Sequence, residues 1–376
     1  MKLDAHALGE ELKSRGFDFY SGVPCSFLAD LINYAINEAR FVMSANEGDA
    51  VASCAGAWLA GKKSVVLMQN SGLTNAVSPL TSLNYSFRIP VLGFVSLRGE
   101  PGLNDEPQHE LMGVITEKML ELMEVRWEYL STDIREVREQ LNRADAAIGR
   151  NETFFFVVKK GTLDKVPLKE QPVHRNPNRE LKTKSGEDAL PLRLNVLETL
   201  SRIKDGDTLH LASTGKAGRE LYEVEDAPNN LYMVGSMGTI SSLGLGTALN
   251  CPRKVIAIEG DGALLMRMGN LATNGYYGPK NLLHLLIDNN MHDSTGGQFT
   301  VAGNVDFVTA AGACGYTRSL YVHNLAELEK EIRRWQQDPV LTFLHIRAGR
   351  GTKENLGRPA VKPHEVKERL MRYIHG

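Results

Sequence analysis

The chain has 376 residues, enough for two sizeable cores, and its composition of 42% hydrophobic and 23% charged residues is that of a soluble globular protein. A net charge of -2 without a long Lys/Arg block argues against a nucleic-acid surface, and no apolar run approaches the roughly 18 residues of a membrane span. The start at Met1-Lys2-Leu3-Asp4 has no basic segment leading into an apolar core, so a cytoplasmic protein is expected; the scattered Cys25, Cys54, Cys251 and Cys314 signal neither a zinc site nor a disulfide framework.

In chain order, residues 4–15 carry the spacing of an amphipathic helix, 17–20 are short and aromatic, and Pro24 suits the first turn of a second helix. Residues 48–60 read as a helix of small residues. Apolar runs of strand length follow at 64–69, 90–96 and 154–158, the last being Phe154-Phe155-Phe156-Val157-Val158. That alternation predicts a parallel sheet covered by helices. From 162 to about 188 the chain carries prolines and charges without apolar periodicity, as in Pro172-Val173-His174-Arg175-Asn176-Pro177, and an exposed linker is predicted.

The alternation then resumes: a helix over 192–203, a strand over 208–211, a helix from Gly215, a strand over 231–234, a helix over 241–248, and strands over 255–258, 282–288 and 342–346, suggesting about six strands. Gly260-Asp261-Gly262 follows the first of the last three strands. Asn289-Asn290 ends the next one, after 26 intervening residues (263–288). A strand running into a glycine turn can hold a hard divalent ion on a carboxylate and an amide oxygen while backbone amides face phosphate oxygens. Asp261 and Asn290 are the side-chain ligand candidates. Ser213-Thr214-Gly215-Lys216 also opens a helix after a strand, but it lacks the upstream glycine of a P-loop.

Through that segment and those around it, the chain resembles the thiamine diphosphate-dependent 2-oxo acid decarboxylases over nearly its whole length. The resemblance implies an α/β fold of two similar parallel-sheet domains with helices on both faces: a pyrimidine-binding domain over 1–165, a linker over 166–188 and a diphosphate-binding domain over 189–376. It implies thiamine diphosphate and magnesium as cofactors. Glu47, in Ala45-Asn46-Glu47-Gly48-Asp49, would hydrogen-bond the aminopyrimidine and begin cofactor activation; from the residues alone, Glu47 and Asp49 equally suit the positive end of a helix. The Gly235 carbonyl would accept from the exocyclic amine, and Met237 would wedge between the two rings. Asp261, Asn290 and the His292 backbone carbonyl would hold the metal. Gly262 and Ala263 would offer amides to the diphosphate, with Ser294 and Thr295 as hydroxyl donors.

Gly22-Val23-Pro24-Cys25-Ser26, Gln69-Asn70-Ser71-Gly72-Leu73, Asp105-Glu106-Pro107-Gln108-His109-Glu110, Asp293-Ser294-Thr295-Gly296-Gly297-Gln298 and Leu356-Gly357-Arg358-Pro359 narrow the likeness to members acting on 3-phosphonopyruvate. Those acting on sulfopyruvate are similar but commonly split the halves between subunits, so the fused chain favours the phosphonate. A single His109 stands where pyruvate-type relatives carry a histidine pair; it is the candidate for positioning or proton transfer. The substrate is expected to be a 2-oxo acid with an anionic head, met by Ser26, Arg98, Lys216 and His292 as binding candidates. The resemblance further implies a homo-oligomer with active sites between subunits. A carboligase and a non-catalytic cofactor-binding subunit are the alternative readings.

Overall fold

The structure, a computed structural model, describes residues 2–172 and 174–376; the expectations that touch Met1 and Val173 lie outside the described residues. The chain forms two compact units, Met1–Val173 and His174–Gly376. The first contains strands β1 (Phe17–Gly22), β2 (Arg40–Met43), β3 (Lys63–Gln69), β4 (Leu92–Ser96), β5 (Arg126–Tyr129) and β6 (Phe154–Val158). They form one sheet in the order β2-β1-β3-β4-β6-β5, every pairing parallel. In β4 and β6 every residue is buried, as expected of strands covered on both faces.

The second unit contains β7 (Glu180–Lys182), β8 (Thr208–Ala212), β9 (Asn230–Tyr232), β10 (Lys254–Gly260), β11 (Leu282–Asp288), a two-stranded ribbon of β12 (Met291–His292) and β13 (Gln298–Phe299), then β14 (Arg318–Val322) and β15 (Thr342–Arg347). Its main sheet runs β7-β14-β15-β11-β10-β8-β9 and is again wholly parallel. Neighbouring strands send their connections in opposite directions between β1 and β3 and between β8 and β10. Loops leaving the carboxyl ends of such strands diverge there and leave room for a ligand. Among the described residues no helix is long and apolar enough to cross a membrane.

Four strands of the two main sheets, and both strands of the β12–β13 ribbon, were not marked by the sequence pattern. β2 and β5 are half-exposed edges carrying Arg40, Arg126 and Glu128, so no apolar run marks them. β14 is buried but opens on Arg318, whose guanidinium pairs with Asp338. β7 lies inside the stretch expected to be linker; its three residues pair with β14 at the sheet edge. The second helix also begins later than Pro24: Cys25 is extended, Ser26–Leu28 make one 3-10 turn, and the α-helix is Ala29–Glu38.

The helix Glu47–Leu59 shows why its residues are small. Twelve of its thirteen residues are buried, including Gly48, Ala50, Ala52, Ala55, Gly56 and Ala57, so larger side chains would hold the backbone away from its neighbours. Asn46 caps it by accepting from the Gly48 amide at 2.9 Å.

Candidate functional site

In the first unit, Glu47 is the first residue of its helix and only 9% exposed. Asn75 Nδ2 donates to its Oε2 at 2.8 Å. Gly72 faces the same carboxylate so closely that a Cβ there would lie 2.1 Å from Glu47 Oε1. Gly72 and Asn75 sit three apart on the helix Asn70–Pro79, hence on one face of it. Asn75 was missed from sequence; that three-residue spacing was the available signal.

Loops from the carboxyl ends of β1, β3 and β4 meet nearby. Cys25 Sγ lies 3.0 Å from Ser96 Oγ, and Asn70 Nδ2 donates to the Arg98 carbonyl at 2.8 Å and to Thr116 Oγ1 at 3.1 Å. Arg98 stacks its guanidinium on Phe27, 4.8 Å from the ring centroid, and donates to Ser26 Oγ at 3.3 Å. Its forked end is committed to Asp105: Nε donates to Oδ2 at 2.7 Å and Nη2 donates to Oδ1. Asp105 also accepts from the Gly99 and Glu106 amides at 2.9 and 2.8 Å. The Arg98 guanidinium and these amides hold the Asp105 carboxyl well below the usual carboxylate range. Arg98, read from sequence as a cation for the substrate, therefore has its charge neutralised within its own loop.

His109 closes a 3-10 turn, Pro107–His109, and is 6% exposed, with Nδ1 buried and lacking a hydrogen-bond partner among the described residues. Gly99, at φ +75°, lets the chain pass: a Cβ there would lie 2.0 Å from the His109 carbonyl oxygen.

In the second unit, loops after β8, β10 and β11 enclose a cavity of about 140 Å³ whose walls include Ser213, Lys216, Met237, Asp261, Ala263 and Ser294. The strand β10 passes directly into the helix Asp261–Met266, so the expected glycine turn is a strand-to-helix junction. The Gly235-to-Gly238 loop is turned by three left-handed residues, Gly235, Ser236 and Gly238, and the Gly235 amide donates to Thr214 Oγ1 at 3.1 Å. A side chain on Gly238 would come within 2.7 Å of the Ala263 carbonyl oxygen. These turns put Met237 on the cavity wall.

Asp261 is 2% exposed, and burial pushes its carboxyl above the usual range. The Thr300 hydroxyl donates to Asp261 Oδ2 and also lies 3.2 Å from Asn290 Oδ1. One hydroxyl has one proton, so three oxygens converge with a single hydrogen among them. Asn290 reaches this position in the left-handed region, at φ +55°. Thr300 was not anticipated: the β12–β13 ribbon folds it back, its amide donating to the Asn290 carbonyl at 3.2 Å, and no local pattern announces such a return.

Among the described residues no three His, Cys, Asp or Glu side chains cluster as a metal cage. A buried carboxylate beside an amide oxygen and a hydroxyl nevertheless fits magnesium, which takes few protein ligands and keeps diphosphate oxygens and water. The His292 carbonyl fits less directly, because it accepts from Gly297 N at 3.0 Å and Thr295 Oγ1 at 3.2 Å within its own loop. Binding a metal there requires one of those bonds to open. Thr295 is exposed, with its hydroxyl 2.8 Å from Gln298 Oε1, and is not on the cavity wall, whereas Ser294 is. The His292 ring packs so close to Gly262 that a Cβ there would lie 2.5 Å from it. Beside them Arg193 is buried between Glu220, at 2.8 and 3.0 Å, and Asp293, at 2.9 Å; Asn289 donates to the same Asp293 oxygen at 2.7 Å.

Residues 4–119 match the thiamine pyrophosphate enzyme N-terminal TPP binding domain, and residues 213–346 match the C-terminal TPP binding domain. The chain is similar to a phosphonopyruvate decarboxylase of Streptomyces viridochromogenes, with 38% identity over 96% of this chain and 93% of that one. A sulfopyruvate decarboxylase of Methanosarcina acetivorans is 29% identical over 90% of this chain and 89% of its own length. That full-length match overturns the argument from fusion, since a joined pair of halves also occurs in a sulfopyruvate decarboxylase. Among solved structures, the benzoylformate decarboxylase of Polynucleobacter necessarius has the same fold, with a TM-score of 0.73 at 13% identity over 94% of this chain and 100% of that one.

Proposed function

The chain belongs to the thiamine pyrophosphate enzymes as a decarboxylase of that family, and from that premise we propose that it converts 3-phosphonopyruvate to phosphonoacetaldehyde and carbon dioxide with thiamine diphosphate and magnesium. The substrate reading rests on one finding, the 38% identity to a phosphonopyruvate decarboxylase across 96% of the chain. Thiamine diphosphate, when bound, supplies the electron sink for the carbanion left by departing carbon dioxide.

The chain's own residues have four tasks. Glu47 holds a hydrogen-bonding carboxylate in a nearly water-free position, with Asn75 fixing one oxygen and Gly72 leaving space for the other. Met237 shapes the cavity wall, a place where a flexible thioether fills an irregular gap. Asp261 and Asn290 would hold the magnesium, Thr300 yielding its place between them, while Gly262 and Ala263, on the cavity wall, would offer backbone amides to the diphosphate. His109 offers a buried Nδ1 without a partner among the described residues, which suits a group that positions or protonates the reacting carbon. The same reading carries the expectation of a homo-oligomer acting in phosphonate biosynthesis.

Phosphorus NMR of phosphonopyruvate incubated with enzyme, magnesium and thiamine diphosphate tests this. Cofactor-dependent phosphonoacetaldehyde is expected, and Glu47→Gln should lower its formation roughly 100-fold or more while leaving the fold intact. Faster turnover of sulfopyruvate than of phosphonopyruvate would transfer the assignment to the sulfonate, and wild-type turnover by Glu47→Gln would remove Glu47 from the mechanism.

A further inference from the structure

A second cavity, of about 400 Å³, adjoins the cofactor cavity, and the two share Thr214, Gly215 and Ser294 as walls. Val234, Pro359 and Val361 give it an apolar lining. Lysine and arginine contribute four side chains to the two cavities: Arg193 and Lys216 to the first, Arg219 and Arg358 to the second. Arg193 is neutralised by Glu220 and Asp293. Arg219 is occupied in holding the chain, donating from Nε to the Gly357 carbonyl at 2.8 Å and from Nη2 to the Leu356 carbonyl. Lys216 and Arg358 have no hydrogen bond or ion pair among the described residues.

The segment that carries Arg358 is fastened to the helix Lys216–Val224. Thr352 donates to Glu220 at 2.5 Å, Lys353 pairs with Glu223, and Leu356 is buried. Arg219, on the same helix, grips the two carbonyls immediately before Arg358. The exposed Arg358 guanidinium and the half-buried Lys216 ammonium thus line two cavities that share Thr214, Gly215 and Ser294.

We infer that Lys216 and Arg358 form the cationic clamp for the dianionic head group of a 2-oxo acid, with Arg219 as the positioning residue that fixes Arg358. This deepens the decarboxylase reading above and rests on it. The planar fork of Arg358 suits two phosphonate oxygens at once, and Lys216 adds a point charge from the cofactor side. Arg98 is displaced from that task, because Asp105 already holds its charge.

The test is steady-state kinetics of the holoenzyme on phosphonopyruvate and on pyruvate, which lacks the head group. Arg358→Gln should lose roughly 10- to 100-fold in kcat/KM for phosphonopyruvate, chiefly through KM, with pyruvate turnover nearly unchanged. Arg358→Lys should fall between wild type and Arg358→Gln, and Arg219→Gln should lose less than Arg358→Gln in the same direction. Calorimetric titration of the holoenzyme with phosphonoacetate should show the same ranking without turnover. Equal losses on both substrates, or none on phosphonopyruvate, overturn the clamp while leaving the decarboxylase reading intact. A wild-type enzyme that leaves phosphonopyruvate untouched overturns the substrate reading itself.

Discussion

Replacing Gly72 by alanine sets two effects against each other. Gly72 lies inside the helix Asn70–Pro79 with an ordinary helical backbone, so helix propensity alone favours alanine by about 1 kcal/mol. The added Cβ, however, would lie 2.1 Å from Glu47 Oε1, 2.4 Å from Cδ and 2.6 Å from Cγ, whereas ordinary contact begins at 3.4 Å. Rotating the carboxylate cannot clear all three atoms. The whole side chain must withdraw, its nearest oxygen by about 1.3 Å (3.4 minus 2.1), and the 2.8 Å bond from Asn75 is strained or lost. Moving the end of a flexible side chain costs little folding energy, so the melting temperature should stay close to wild type. A displacement of about 1 Å at a reacting group can nevertheless cost roughly 100-fold in rate, and that loss is expected in kcat. The decisive assay is a double-mutant cycle of kcat with Glu47→Gln. If Gly72 acts through Glu47, Gly72→Ala should add almost nothing to the loss in Glu47→Gln. Full kcat in Gly72→Ala, or losses that multiply in the double mutant, would refute the reasoning.

Thr300→Val should destabilise the cofactor-free protein by roughly 1–3 kcal/mol, because Asp261 loses its hydroxyl donor; magnesium with thiamine diphosphate should then raise the melting temperature more than in wild type. An equal rise in both proteins would show that the cation does not replace that hydroxyl. Asp105→Asn should cost roughly 1–3 kcal/mol at neutral pH by removing the charge that Arg98 and two amides stabilise. Because the Asp105 carboxyl is held below its unfolded value, its contribution is complete above about pH 4 and is lost as pH falls toward the lower folded value. Asp105→Asn should therefore flatten the acid limb of the stability curve, and an unchanged limb measured by denaturant titration would contradict the pairing.

The parts legible in sequence are those whose chemistry is written in consecutive residues. An apolar strand running into Gly260-Asp261-Gly262, and another running into Asn289-Asn290, stand out because strand, junction and candidate ligand are neighbours in the chain. Buried runs such as Phe154–Val158 were visible for the same reason. The illegible parts depend on remote returns of the backbone. Thr300 reaches Asp261 across 39 residues, and Asn75 reaches Glu47 across 28. Arg98 looked like a free cation because nothing in its immediate neighbours reveals that the loop bends Asp105 back onto it. Edge strands fail differently: β2 and β5 have one partner each and an exposed side, so charge replaces the apolar pattern that would mark them.

The ribbon that returns Thr300 to Asn290 would also tie the proposed metal site to local folding. A cation shared by Asp261 and Asn290 would join two points 29 residues apart (290 minus 261), acting as a removable staple across the segment between them. Cofactor affinity and the firmness of this corner would then be one free energy read in two ways: any substitution that loosens the ribbon weakens the metal, even where it touches no ligand.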